Sequence, residues 1–172
     1  MDRYFVILSK LAIQILKCLK WFKIMSEHKI DINWKNSGDN LSYYEYDRTH
    51  SWEFEGGKKM QASAAPEYIG DIKYINPEEA LAAALASCHM MSFLFVASKK
   101  KFVVDTYQDK AIAILEKNSK NKMAVTKIYL NPIITFKGAN IPTKDEVEFL
   151  HEKAHDECFI ANSVLTEVII NY

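Results

Sequence analysis

The feature that most constrains the fold is one long apolar stretch, NPEEALAAALASCHMMSFLF, which runs from Asn76 to Phe95. Asn76 suits a helix N-cap, Pro77 suits the first helical position, and Glu79 can complete a capping box. Alanine and leucine, which dominate the following run, are strong helix formers. We therefore predict one helix that continues to about Lys100. Because it is apolar on nearly all sides, we expect it to be buried.

The sequence before and after this helix predicts strands. Alternating apolar residues and a hairpin signal at Gly56-Gly57 predict a β-meander over about residues 28–64. Two strand-like runs follow the helix, DKAIAILEK and MAVTKIYLNPIITFKG. We expect them to pair as a β-hairpin, with Pro132 marking an edge or a bulge.

The last third of the chain predicts a second helix and a closing strand. Thr143 and Glu146 form a capping-box pattern that opens an amphipathic helix ending near Cys158. The final run, SVLTEVIINY, alternates as a strand does. This order of elements predicts an α+β fold.

The beginning of the chain differs in composition from the rest. Residues 1–24 carry scattered basic residues among apolar ones, without the long uncharged run of a membrane-spanning helix or the small-residue cleavage site of a signal peptide. A basic amphipathic helix at a membrane surface and a dispensable extension are the two interpretations, and we favour the second. We accordingly divide the chain into an extension, residues 1–27, and a domain, residues 28–172, and expect no chemistry at Cys18.

The charge balance and the cysteine count narrow the class of protein. Lys plus Arg and Asp plus Glu are both 22, so the formal net charge is zero and nothing indicates a nucleic-acid partner. A neutral chain is also prone to self-association. The three cysteines are an odd number at wide spacing, which is typical of an intracellular protein with reduced thiols. We expect a cytoplasmic location.

Cys88, in the apolar helix, and Cys158, at the end of the second helix, are the candidate reactive residues. Each could instead be a small buried hydrophobe. They could also bind a metal together with His89 and His155, although no CxxC or HExxH pattern supports this. The third possibility is a peroxidatic and resolving pair, in which one thiolate is oxidised by a peroxide and the other thiol closes a disulfide.

A thiolate in such an apolar setting requires a cation from elsewhere in the chain. Cys88 lies in the middle of the predicted helix, where the field of the helix N-terminus has faded. Arg48, in YDRTHSW, is the best candidate, because a guanidinium stays charged and can hold a thiolate and a carboxylate together. The alternative is that Arg48 is a solvated loop residue. His89 points about 100° away from Cys88 around the helix, so we interpret it as structural.

The two cysteine motifs, NPEEALAAALASCHMM and HDECFIANSV, resemble the OsmC/Ohr family of osmotically inducible and organic hydroperoxide resistance proteins. The resemblance covers about residues 28–172. It implies an α+β fold completed by intertwining into a homodimer, with a long buried central helix and a second helix that carries the resolving cysteine. It also implies reduction of organic hydroperoxides without a metal or an organic cofactor.

The same resemblance assigns roles to individual residues. Cys88 matches the peroxidatic cysteine, Cys158 the resolving one, Glu78 the family's glutamate and Arg48 the arginine that pairs with it. Leu85, Met90, Met91, Phe93 and Phe95, where they share the face of Cys88, are expected to line a pocket for an alkyl tail. An external dithiol, such as protein-bound lipoamide, is implied as the reductant. The alternative from another class is a non-catalytic protein that binds small molecules or lipids.

Overall fold

The computed structural model describes residues 25–38 and 41–172, so Cys18 and most of the extension lie outside the described residues. Within them the chain forms two α-helices, α1 (Pro77–Lys99) and α2 (Lys144–Glu157), and eight strands. The strands are β1 (Ile30–Asn33), β2 (His50–Phe54), β3 (Lys59–Ala62), β4 (Val103–Asp109), β5 (Ile112–Lys117), β6 (Met123–Leu130), β7 (Pro132–Lys137) and β8 (Glu167–Ile170). The predicted α+β class is confirmed.

The described chain divides into two compact units. The first unit holds residues up to 33 and residues 51–60, and the second holds residues 34–50 and 61–172. β1, β2 and β3 form one sheet in that order, and β1 runs antiparallel to β2. The tight turn at Gly56-Gly57 closes a hairpin, with Gly57 at a positive φ of 76° that glycine adopts without steric penalty. The predicted meander is therefore confirmed, with strands shorter than expected.

Helix α1 begins as the sequence predicts. The side chain of Asn76 accepts a hydrogen bond from the backbone N–H of Glu79 at 2.8 Å, and the Glu79 carboxylate accepts one from the Asn76 N–H at 3.1 Å. This reciprocal pair satisfies two N–H groups that would otherwise lack partners. The helix then continues without a break through Cys88 to Lys99.

The expectation that α1 is buried on all sides is wrong for the single chain. The buried residues fall on one face of the helix: Ala82, Leu85, His89, Phe93 and Ala97. On another face Met91 is 58% exposed and Phe95 50% exposed. The reason is that α2 and the strands β4 to β6 pack on one side only. By length and composition α1 could also cross a membrane, but its packed face is that of a core helix.

The strands after α1 differ from the prediction. Strand β4, which follows the lysines at the end of α1, was not predicted, and the run around Pro132 forms two strands rather than one. Because proline has no N–H to donate, the hydrogen bonding of β6 ends before Pro132, and Pro132 begins the separate strand β7. Strand β6 pairs with β5 and lies parallel to β8, whereas β7 pairs with β4 in a separate sheet.

Helix α2 and β8 complete the unit. Thr143 and Glu146 form the predicted capping box, and Cys158 is the C-cap residue of α2. The helix places Leu150, His151 and Ala154 on its buried face against α1. The buried side chains form two clusters. The first contains Cys158 and Leu85. The second consists of Phe93, Ala97, Phe102, Leu150 and Ala154.

Phe93→Ala is expected to lower the free energy of unfolding by about 3–5 kcal/mol, because it empties a fully buried site. The Phe93 ring is 0% exposed and lies 4.6 Å from the His151 ring and 5.7 Å from the Tyr107 ring, centroid to centroid. Phe159→Ala is the matched control, since Phe159 is 78% exposed. Urea titration followed by circular dichroism measures both. Equal losses in the two variants would contradict the described core.

Candidate active site

Cys88 and Cys158 lie against each other although they are far apart in the sequence. Cys88 sits in the middle of α1, and Cys158 sits where α2 ends. Their side chains are near enough for Cys88 to raise the pKa of Cys158, and Cys88 packs against the cluster that contains Cys158. Neither forms a disulfide, so the structure describes the reduced pair. Two thiols in contact can close a disulfide with little movement of the backbone.

The surroundings of Cys158 keep it protonated. It is fully buried, and the backbone N–H of Ala161 points at its sulfur at 3.4 Å. Burial raises the pKa of the Cys158 thiol to about 11, the Ala161 N–H opposes the shift, and the adjacent Cys88 adds to it. At neutral pH Cys158 is therefore a thiol. A thiol of this kind suits the second step of a two-thiol reaction better than the first, which requires a thiolate.

Glu78 lies at the N-terminal end of α1, away from the two thiols. It sits in the first turn, ten residues before Cys88, which corresponds to about 15 Å along the helix axis. Its side chain lines a cavity of about 640 Å³ together with small residues of the same helix, Ala82 and Ala86, and with Asp109. Glu78 therefore does not reach the thiols of its own chain.

Arg48 is buried in the loop before β2 rather than solvated. Its guanidinium donates hydrogen bonds to the backbone oxygens of Tyr46, at 3.1 Å, and Tyr43, at 2.7 Å. It also lies over the Tyr46 ring at 4.1 Å from the centroid. Among the described residues it makes no hydrogen bond or ion pair with Glu78 or Cys88.

Arg48 and Glu78 share the neighbourhood of the α1 N-terminus. Glu78 also lines a second, smaller cavity of about 320 Å³. This smaller cavity and the cavity lined by Arg48 have three residues in common, Ala64, Tyr68 and Pro77. The structure thus places the four predicted site residues in two groups at opposite ends of a ten-residue helical segment. Cys88 and Cys158 form one group, and Arg48 and Glu78 form the other.

The expected apolar pocket is not formed as predicted within one chain. Leu85 and Phe93 are buried in two different clusters, whereas Met91 and Phe95 lie on the exposed face of α1. Met91 and Phe95, three and seven residues after Cys88, lie on its side of the helix but are exposed in the single chain. Among the described residues no group of three or more His, Cys, Asp or Glu side chains is arranged to hold a metal ion.

His89 pairs with His151, which the sequence analysis did not single out. His89 Nε2 lies 3.1 Å from His151 Nδ1 in the buried interface between α1 and α2, and Tyr172 stacks on the His151 ring. The sequence could have indicated that His151 is buried, because it lies seven residues before Cys158 and therefore on the same face of α2. His89 faces away from the thiols, as its helical position predicts.

Comparison with known proteins agrees with the fold and with the family resemblance. The family model described as OsmC-like protein matches residues 70–172. An OsmC-like protein of unknown function from Vibrio cholerae is 45% identical; the match covers 86% of this chain and 99% of that chain, with a TM-score of 0.81.

The chain belongs to the OsmC-like family.

More distant structures share the fold of this OsmC-like protein. An organic hydroperoxide resistance protein from Elizabethkingia anophelis is 18% identical, with a TM-score of 0.64 over 87% of this chain and 95% of its own. The organic hydroperoxide resistance protein OhrB of Bacillus subtilis is 17% identical, with a TM-score of 0.59 over 85% of this chain and 97% of its own. Curated proteins give no match. The predicted resemblance to the OsmC/Ohr family is confirmed.

Because His89 and His151 are buried against each other, we predict that this OsmC-like protein loses stability in mild acid. The pKa of both imidazoles is lowered from 6.5 to about 4. Burial is the main cause, and a neighbouring histidine adds to it, His155 for His89 and His89 for His151. Between pH 6.5 and 4 the unfolded chain therefore binds more protons than the folded chain. The free energy of unfolding should be highest above pH 6.5 and fall as the pH drops toward 4.

Urea titrations between pH 7.5 and 4.5 measure this loss. The double variant His89→Gln/His151→Gln should show a flatter dependence on pH, whatever its absolute stability, because glutamine does not titrate. His28→Gln is the control, since His28 is exposed. If the double variant keeps the slope of the unmodified chain, other groups cause the acid sensitivity.

Proposed function

We propose that this protein is a thiol-dependent peroxidase that reduces organic hydroperoxides in the cytoplasm as part of oxidative-stress defence. The observation that carries the proposal is the contact between Cys88 and Cys158, which arrive from two different helices. Membership of the OsmC-like family supports it, since fold relatives are named organic hydroperoxide resistance proteins.

The first step is attack by the Cys88 thiolate on a peroxide oxygen. An S–O bond forms and the O–O bond breaks, which gives a Cys88 sulfenic acid and an alkoxide that takes up a proton and leaves as alcohol. Cys158 then attacks the Cys88 sulfur, an S–S bond forms, and the hydroxyl leaves as water with the Cys158 proton. The net reaction is ROOH plus two thiols giving ROH, water and a disulfide.

An external dithiol, such as lipoamide on a protein, restores the two thiols by exchange. The raised pKa of Cys158 suits this order, because Cys158 stays a thiol until a sulfenic acid forms beside it. No metal or organic cofactor takes part in the proposed cycle.

The positions of Arg48 and Glu78 support a site shared between two chains. An arginine side chain is too short to span the roughly 15 Å from Glu78 to Cys88 along one helix. Two α1 helices packed antiparallel would bring Arg48 and Glu78 of one chain to Cys88 of the other. The exposed apolar side chains of α1, Met91, Leu94 and Phe95, are the surface such packing would cover. We therefore propose a homodimer with two composite sites.

In this arrangement Arg48 stabilises the Cys88 thiolate and Glu78 orients the guanidinium. The same packing would let apolar side chains of both chains surround the hydroperoxide's alkyl group, which one chain alone does not achieve. Formation of the dimer would thus supply both the Arg48 cation beside Cys88 and the apolar walls around the alkyl group.

Steady-state turnover of cumene hydroperoxide tests the proposed function, with dithiothreitol, reduced lipoamide and thioredoxin compared as reductants. We expect multiple turnovers with at least one dithiol, because the Cys88–Cys158 disulfide must be reopened in each cycle. A protein whose thiols stay unchanged after peroxide addition would instead support the alternative, a non-catalytic role in binding small molecules.

A further inference from the structure

The proposed catalytic cycle closes when an external dithiol reopens the disulfide between Cys88 and Cys158. A disulfide has two sulfurs, and an incoming thiolate forms a bond with one of them while the other leaves. Which sulfur is attacked depends on access to each sulfur and on how readily the other one departs. The two cysteines differ in both respects.

Cys158 is closed to an incoming thiol. Its side chain is 0% exposed and belongs to the buried cluster that also contains Leu85, Ile128 and Leu130, each at most 1% exposed. A thiol reaches this sulfur only when the packing of α2 on the core opens locally. Opening of a buried core is among the rarest fluctuations of a folded chain.

Cys88 lies at the edge of the same cluster and is partly exposed. Helical geometry places Ala84, Met91 and Phe95 on the same side of α1 as Cys88, and all three are exposed in the single chain. In the proposed homodimer this side of α1 faces the composite site. A reductant therefore reaches the Cys88 sulfur by the opening that admits the hydroperoxide.

The departure of Cys158 has one opposing and one assisting influence. Burial raises the pKa of the Cys158 thiol, which slows its departure, because a thiol of lower pKa leaves faster. The backbone N–H of Ala161, 3.4 Å from the sulfur, and that of Ile160 favour the thiolate and offset part of this effect. Attack on Cys158 instead of Cys88 would avoid the opposing influence but has no open path, so access decides.

We infer that the reducing dithiol attacks the Cys88 sulfur and that Cys158 is the leaving group, an inference that rests on the proposed function. One thiolate of the dithiol forms an S–S bond to Cys88, and the bond between Cys88 and Cys158 breaks. Cys158 leaves with the electron pair and takes up a proton. The second thiol of the reductant then loses its proton and attacks the reductant's own sulfur in the mixed disulfide. The reductant departs as a cyclic disulfide, and Cys88 is released as a thiolate.

Exchange with a monothiol tests the inference, because a monothiol cannot close a ring and so remains attached to the sulfur that it attacked. The Cys18→Ser chain, which keeps Cys88 and Cys158 as its two cysteines, is oxidised with diamide and mixed briefly with 2-mercaptoethanol. Acid stops the exchange, alkylation after unfolding labels the free thiol, and mass spectrometry of the peptides locates both groups. We expect the mercaptoethanol adduct on Cys88 and the alkyl label on Cys158, in about tenfold or greater excess over the reverse pattern.

Two controls attribute this preference to the fold. In concentrated guanidinium chloride both sulfurs are exposed, so the excess should fall to less than about threefold. In the Cys18→Ser background, Cys158→Ser leaves Cys88 as the single thiol and Cys88→Ser leaves Cys158. In the folded state the remaining Cys88 should react with Ellman's reagent about tenfold or more faster than the remaining Cys158.

Equal adducts on the two cysteines, or an excess on Cys158, would overturn the inference. An excess on Cys88 that persists in denaturant would also overturn it, because the fold would then not be the cause. Failure of diamide to form the disulfide would remove this inference together with the proposed function. If diamide forms the disulfide but cumene hydroperoxide does not, an excess on Cys88 supports the direction of exchange while the peroxidase function fails.

Discussion

Replacement of Cys88 by serine is expected to reduce hydroperoxide turnover to the level of the buffer. The reaction begins with a thiolate, and a serine hydroxyl does not form a comparable anion at neutral pH. The variant should remain folded, because Cys88 is only partly buried and serine has nearly the same size. Multiple turnovers by Cys88→Ser would contradict the assignment of Cys88 as the attacking residue.

Cys158→Ser should behave differently and so separates the two thiols. It can still reduce about one equivalent of peroxide per chain, after which Cys88 remains as sulfenic acid because no neighbouring thiol can close the disulfide. Trapping with dimedone, followed by mass spectrometry, detects that species. Cys18→Ser is the control and should turn over as the unmodified chain does; Cys18 lies outside the described residues.

Mixing two defective variants, Cys88→Ser and Arg48→Ala, is expected to restore activity. In a mixed dimer of Cys88→Ser and Arg48→Ala chains, one of the two composite sites contains both Cys88 and Arg48. Random re-association yields mixed dimers as about half of the population, each with one intact site, so about one quarter of the unmodified activity should return. The measurement is turnover after dissociation and re-association of equal amounts of the two chains.

The control for this experiment pairs Cys88→Ser with Cys158→Ser. Cys88 and Cys158 of one chain are in contact, so that mixture contains no site with both thiols and should stay inactive. If the Arg48→Ala mixture shows no more activity than the sum of its parents, each chain uses its own arginine. The site would then require a rearrangement of the Arg48 loop toward Cys88.

Local signals predicted the helices better than the strands. Both capping boxes, at Asn76 and at Thr143, are set by a few neighbouring residues, so the sequence shows them directly. The pairing of β7 with β4 and of β6 with β8 depends on contacts between distant segments, and the short polar run that forms β4 gave no clear alternation. Burial of α1 was overestimated because an apolar composition does not reveal how many sides a single chain covers.

The candidate site was predictable in its residues but not in its arrangement. The cysteine motifs identified Cys88 and Cys158, and the structure brings these two together. The environment of Arg48 was not predictable, since a loop arginine is usually solvated and this one is enclosed by the tyrosines of its own loop. The buried partner of His89 was missed because pairing between helices depends on their packing rather than on either sequence.

The disulfide between Cys88 and Cys158 is tested by mass spectrometry of the reduced protein after addition of one equivalent of cumene hydroperoxide. We expect each chain to lose two hydrogens and to yield a peptide pair linked through Cys88 and Cys158, with cumyl alcohol formed in equal amount. Both thiols remaining free, or a disulfide that links Cys88 to any other cysteine, would contradict it.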